Sequence, residues 1–198
     1  MALSPARALC MSFLLPMIGC ASAPPHLEAG VYREGSLAFR IGEVPSTWRP
    51  VRVEGATLAF RDESHLASIL LDGRCYRQDD DVPLVALTDH LVMGTTGREI
   101  LAQETIPFDA REAMHTRLRA KLDGVPMDYD IFVLKKDGCV YDFVYVDPAG
   151  DKNDERESGK AAFERFSATF HTLAGGREAT RVTAPALRSA RAAEGTLT

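Results

Sequence analysis

The 198-residue sequence predicts an α+β domain, an antiparallel sheet flanked by helices. Three observations carry that expectation. Two Asp-Gly pairs, Asp123-Gly124 and Asp137-Gly138, separate runs in which apolar and polar residues alternate, the mark of consecutive hairpins. Upstream, short runs with the same period of two are punctuated by Gly and Asp. Two further stretches switch to helical spacing, one after Asp79-Asp80-Asp81 and one ending near Leu173.

Taken in order, "SLAFRIG" alternates Leu37, Phe39 and Ile41 with smaller or polar neighbours, the period of a half-buried strand. "PVRVEGATLAF" offers two short strands around Glu54-Gly55, and "HLASILLD", more continuously apolar, suits a central strand ending at Asp72-Gly73. In "DDDVPLVALTDHLVMG" Leu84, Leu87 and Leu91 share a helical face, with Pro83 in the first turn and Gly94 beyond the end. The acidic run before it suits a helix N-terminus better than a metal site. "GREILAQETIPF" reads as a strand. In "AMHTRLRAKL" one face carries Met114, Thr116, Leu118, Ala120 and Leu122, and the other His115, Arg117, Arg119 and Lys121. "VPMDYDIFVLKK" and "CVYDFVYV" complete the meander. The segment "DPAGDKNDERESG" reads as a charged loop. Asp151, Asn153 and Glu155 alternate like the start of a calcium loop, but Arg156 and Ala162 stand where that loop needs Gly and a bidentate Glu. A last helix then carries Phe163, Phe166, Phe170 and Leu173 as one stripe. Residues 174–198 lack periodicity and are expected to form a disordered tail.

The formal net charge of −5, without a sustained Lys/Arg block, argues against nucleic acid as a partner. No apolar run is long enough for an ordinary membrane span. Residues 1–19 have the features of a secretory signal: Arg7 and the free amine, then the apolar "ALCMSFLLPMIG" ending in small residues. "MIGC" resembles the lipobox of bacterial lipoproteins, with Met17 where Leu is usual. That resemblance implies cleavage before Cys20, a diacylglyceryl group on its sulfur and usually an acyl chain on its amine. Several chains hold a protein on a membrane where one does not. Ala21 resembles the residue that permits transfer to the outer membrane, so outer is favoured over inner. Residues 20–35, rich in Pro, Ala and Gly, are expected to be a flexible tether, and residues 36–173 the domain.

The order of strands, helix, meander and aromatic helix resembles the PsbP-like fold. The photosystem extrinsic subunit P shares that fold with a Ran-binding nuclear import factor and mycobacterial lipoproteins. The stretches "TWRPVRVEGATLAFRD", "LDGVPMDYDIFVLKKDGCVYDFVYV" and "FERFSATF" carry the likeness over about residues 36–173. More narrowly, the chain is similar to a group of proteobacterial lipoproteins with the "VLKKDGCVYDFVYV" pattern. The resemblance implies an α/β sandwich around an antiparallel sheet, used mostly as a binding or assembly module. It carries over no catalytic residue and no cofactor.

Cys75 and Cys139 are the only cysteines within the expected domain. An oxidising envelope invites a disulfide between them, with two buried thiols as the alternative. Neither has the neighbours of a nucleophile. The basic face with Arg117, Arg119 and Lys121, extended by His115 and by Lys135 or Lys136, could meet an acidic partner or lipid headgroups; a solvated outer face is the plainer account. His26, His65, His90 and His171 show no paired metal-ligand spacing, and no metal site is expected. There is no GxSxG, phosphate-binding Gly-rich loop or SxxK. The expectation is therefore a lipid-anchored, periplasm-facing envelope protein, not an enzyme, that binds another envelope protein. A carrier of an apolar or amphipathic small ligand is the alternative, and it needs open space between sheet and helix beside Phe163, Phe166 and Phe170.

Overall fold

The computed structural model describes residues 26–75, 82–150 and 154–173. The expected signal, Cys20, the acidic run at 79–81 and the expected tail lie outside the described residues. In chain order the elements are β1 (Leu27–Glu28), β2 (Val31–Glu34), β3 (Leu37–Arg40), β4 (Arg49–Pro50), β5 (Leu58–Asp62), β6 (Ala67–Cys75), α1 (Leu84–Leu91), β7 (Thr96–Phe108), β8 (Arg111–Leu122), β9 (Val125–Lys136), β10 (Cys139–Pro148), α2 (Asp154–Ala168) and β11 (His171–Thr172).

Strands β4-β5-β6-β10-β9-β8-β7 form one sheet and β1-β2-β3-β11 a second, smaller one. Every pairing is antiparallel. The α+β expectation therefore holds. The period of two divides the large sheet cleanly. Leu71 and Ile69 of β6 and Phe143 and Tyr141 of β10 point to a core shared with Phe163 and Phe166 of α2 and with Tyr32 and Phe39 of the small sheet. The opposite face holds Ile131, Val133, Val140 and Leu118 against Leu84, Leu87 and Leu91, the predicted apolar stripe of α1.

Three two-residue turns order the meander, and each has positive φ at both positions, the geometry that matches strand twist. Asp123-Gly124 (50° and 84°) and Asp137-Gly138 (55° and 74°) were legible from Gly. The third, Asp109-Ala110 (46° and 57°), places an alanine where its Cβ is strained. Ala110→Gly is expected to stabilise the domain by about 1 kcal/mol, read as a higher urea midpoint at unchanged slope. Asp109 holds its place by other contacts. Its Oδ2 accepts the Thr172 N–H at 2.9 Å and lies 2.7 Å from Lys136 Nζ. The Thr172 hydroxyl donates to Asp137 Oδ2 at 3.1 Å. Thus β11 is clasped to two hairpin turns.

Four expectations need correction. The segment 20–35 is not tether throughout: β1 and β2 occupy Leu27–Glu34, and Tyr32 is buried and stacked on Phe39 with centroids 5.0 Å apart. The strand at "HLASILLD" does not end at Asp72-Gly73 but runs to Cys75 along β10. The charged loop gives way to α2 already at Asp154. Phe170 and Leu173 lie beyond that helix. Phe170 is buried through its turn, and the Leu173 N–H bonds the Ala38 carbonyl at 2.8 Å.

At Gly42 the chain beyond β3 packs directly against the backbone of α2. Its N–H donates to the Phe166 carbonyl at 3.0 Å, and a Cβ there would overlap the Arg165 carbonyl oxygen. Cys75 and Cys139 face each other on β6 and β10, with Cα atoms 3.9 Å apart, and their sulfurs are bonded.

Candidate interaction cleft

The two-residue turn at Asp123-Gly124 sets Arg119 opposite Asp128 and Arg117 opposite Asp130. Alternation then puts His115, Arg117, Arg119 and Lys121 on the same sheet face as α2, not on a separate outer face. The next strand brings Tyr145 beside Asp130 and Asp147 beside Asp128. Within the first two turns of α2, Glu157 and Lys160 overhang this part of the sheet. The result is a cleft of about 190 Å³ with Leu101 at its edge.

The acids form the floor and the cations the rim. Asp130 and Asp147 are buried, whereas Arg117 is exposed. Arg119 donates from Nε to Asp128 Oδ1 at 2.7 Å and from Nη2 to Oδ2 at 3.1 Å, a two-point contact that fixes the guanidinium plane. Those hydrogen bonds and the Asp128 charge hold Arg119 in its charged form more firmly than usual. Asp130 Oδ1 lies 2.7 Å from His115 Nε2, and its Oδ2 3.8 Å from Lys160 Nζ. The His115 ring stacks on Phe132 at 4.5 Å, so the floor is joined to the aromatic core.

Of the residues singled out from the sequence, Arg117 and Arg119 line this cleft. Lys121 does not; it is exposed farther along β8, between Thr96 and Pro126. Lys135 reaches the Val82 carbonyl near α1, and Lys136 the Asp109 turn, so neither extends the basic face. Arg117, Arg119 and Lys121 are all exposed on this face. Its cations sit above carboxylates supplied by "DYD", a signal that the hairpin register could have exposed.

A second polar cluster lies on the other sheet face, under α1. Asp142, 1% exposed, is ion-paired with Arg74, whose Nη1 also lies 2.6 Å from Asp72 Oδ2. Burial pushes the Asp142 carboxyl up to about 6; Arg74 opposes the shift, the Asp72 charge adds to it, and His90 of α1 lies close enough to oppose it as well. A carboxyl raised in the folded state favours folding as it gains its proton. Stability is therefore expected to rise as pH falls from about 7 to about 4, by at most about 3 kcal/mol. Asp62 sets the lower limit. Burial works to raise its carboxyl, but hydrogen bonds from His65 and the Ser64 N–H hold it below the usual range, so its contribution is lost at lower pH still. Melting temperatures of the wild type and Asp142→Asn across pH 7.5–4.5 test this. A wild-type curve as flat as that of the variant would reject it.

Among the described residues, no group of three or more His, Cys, Asp or Glu side chains is arranged to hold a metal ion. Nor is any helix long and apolar enough to cross a membrane.

No protein-family model matches the chain, and no curated protein matches it. Solved structures do. The chain is similar to the cyanobacterial PsbP protein, CyanoP, of Synechocystis sp. PCC 6803, with a TM-score of 0.53 and 15% identity over 77% of this chain and 98% of that one. The fold is thus PsbP-like α+β. Mog1p, a Ran-binding protein of Saccharomyces cerevisiae, matches with a TM-score of 0.48 and 12% identity over 69% of this chain and 90% of its own. LpqN of Mycobacterium tuberculosis, described as involved in cell envelope biogenesis, matches with a TM-score of 0.45 and 14% identity over 69% and 85%.

Proposed function

We propose that this chain is a lipid-anchored protein of the bacterial envelope, facing the periplasm, with the outer membrane favoured over the inner. It acts as a binding or assembly module for another envelope protein, without catalysis. The observation that carries the binding role is the cleft, in which exposed Arg117 and oriented Arg119 stand above buried carboxylates. Arg119 is fixed in plane by Asp128 and Arg117 is exposed, so the cleft offers a charged partner segment one preorganised and one accessible cation. The anchor rests on the lipobox resemblance ending at Cys20. The carrier alternative loses its main requirement. Phe163, Phe166 and Phe170 fill the space between sheet and helix, packed on Phe132, Phe60 and Phe143 with ring centroids 4.9–5.9 Å apart.

In-cell crosslinking of the full-length protein, followed by mass spectrometry, tests the reading. One dominant envelope protein is expected with the wild type, and its yield should fall at least about tenfold, equivalent to 1.4 kcal/mol, in Arg117→Glu. Unchanged melting of the variant would show that the fold is retained. An undiminished adduct would remove the cleft from the interface, and a co-purifying lipid without any protein partner would favour the carrier. Cys20→Ser is expected to move the protein from the membrane to the soluble fraction; firm retention would reject the anchor.

A further inference from the structure

The structure shortens the distance between the proposed anchor and the domain. The antiparallel ladder begins at His26, whose carbonyl accepts the Arg33 N–H at 3.1 Å. Cys20 precedes His26 by six residues, and six residues of fully extended chain span at most about 21 Å. His26 also lines a groove of about 610 Å³ between the small sheet, with Tyr32 of β2 and Leu37 of β3, and the turn joining β4 to β5. Val53 stands on the rim of that turn, 42% exposed, between exposed Arg52 and Glu54. An apolar tip beside a guanidinium suits the boundary between headgroups and acyl chains.

We propose that the domain rests on the bilayer that holds its anchor, with the Val53 turn and the groove beside His26 against the lipid surface. This rests on Cys20 being lipidated. The occupant follows from chain length: a lipid at Cys20 leaves the groove within about 21 Å of the headgroups, and some other exposed apolar points are farther off. Val125, 53% exposed, is one of them. The groove lies at the level of Asp72, which pairs with Asp142. Val125 lies beyond the level of Met127, which pairs with Pro148, and three strands away from β5. At ordinary strand dimensions that separation exceeds about 20 Å. The mixed-charge cleft, built on Asp128 and Asp147, lies toward the same distant end and so points away from the membrane.

The test places a benzophenone-bearing amino acid at position 53 or at position 125 of the full-length protein in cells. Phospholipid adducts are expected to be several-fold more abundant from position 53. Inserting 20 Gly/Ser residues between Pro25 and His26 adds about 25 Å of root-mean-square span and should bring the two yields together. Equal yields without the insertion, or yields that the insertion leaves unchanged, would overturn the proposal. Membrane fractionation is scored on the same samples. Protein in the soluble fraction would overturn the anchor and this placement together, whereas membrane-bound protein with equal yields would overturn the placement alone.

Discussion

Replacing Cys75 and Cys139 together by alanine is expected to cost about 4 kcal/mol. The bond closes a loop with a sequence separation of 64, and on the chain-entropy account most of its effect lies in the unfolded state, which regains that freedom. A domain typically has only 5–15 kcal/mol of stability in hand, so the loss would lower the urea midpoint severely. The fold itself should survive, because the ladder between β6 and β10 continues through Tyr141–Gly73 and Phe143–Leu71 without the bond. The same loss is expected for the wild type under a strong reductant. A midpoint that moved by less than the equivalent of about 1 kcal/mol would show that the unfolded chain stays compact around these strands.

Gly42→Ala is expected to be comparably severe, for the opposite reason. Here the native state suffers. The new methyl would occupy the position of the Arg165 carbonyl oxygen, which is backbone and cannot swing away as a flexible side chain can. Relief requires α2 to move from the small sheet, breaking the Gly42–Phe166 hydrogen bond and loosening Phe166 against Phe60. Overpacking with lost core contact costs about 3 kcal/mol or more. Thermal unfolding read by near-ultraviolet circular dichroism would detect both the destabilisation and the altered aromatic packing. Wild-type stability in this variant would mean that α2 does not approach β3 as closely as the structure shows.

The meander was legible because Asp-Gly turns report both where strands stop and which residues face each other. Asp109-Ala110 adopts the same turn without glycine, so its position could not be read from residue type. The first hairpin escaped because its strands are short and its turn, Ala29-Gly30, sits in a stretch whose composition suggests a linker. The aromatic stripe misled in a different way. Phe163, Phe166, Phe170 and Leu173 have helical spacing, yet the helix ends at Ala168 and Phe170 reaches the core from the following turn. Periodicity records which side chains turn inward, and more than one backbone path can satisfy it. Arg117 and Arg119 were visible as a cationic pair, but their character depends on Asp128 and Asp130, which belong to another strand. Asp142 was visible only as one acidic residue inside an apolar run; that it is enclosed and paired with Arg74 is a property of the packed layers.

The small sheet joins the two ends of the domain. Strand β3 pairs with β11, and Leu173 bonds back to Ala38 across 135 positions of sequence. This is a contact of very high order, so its entropic cost must be met before it returns anything. During synthesis, the aromatic cluster around Phe39 lacks Phe170 until nearly the whole domain has emerged. For a chain exported as proposed here, that delay is useful: β3 has only the short β2 to pair with until β11 emerges, so the core around Phe39 closes last.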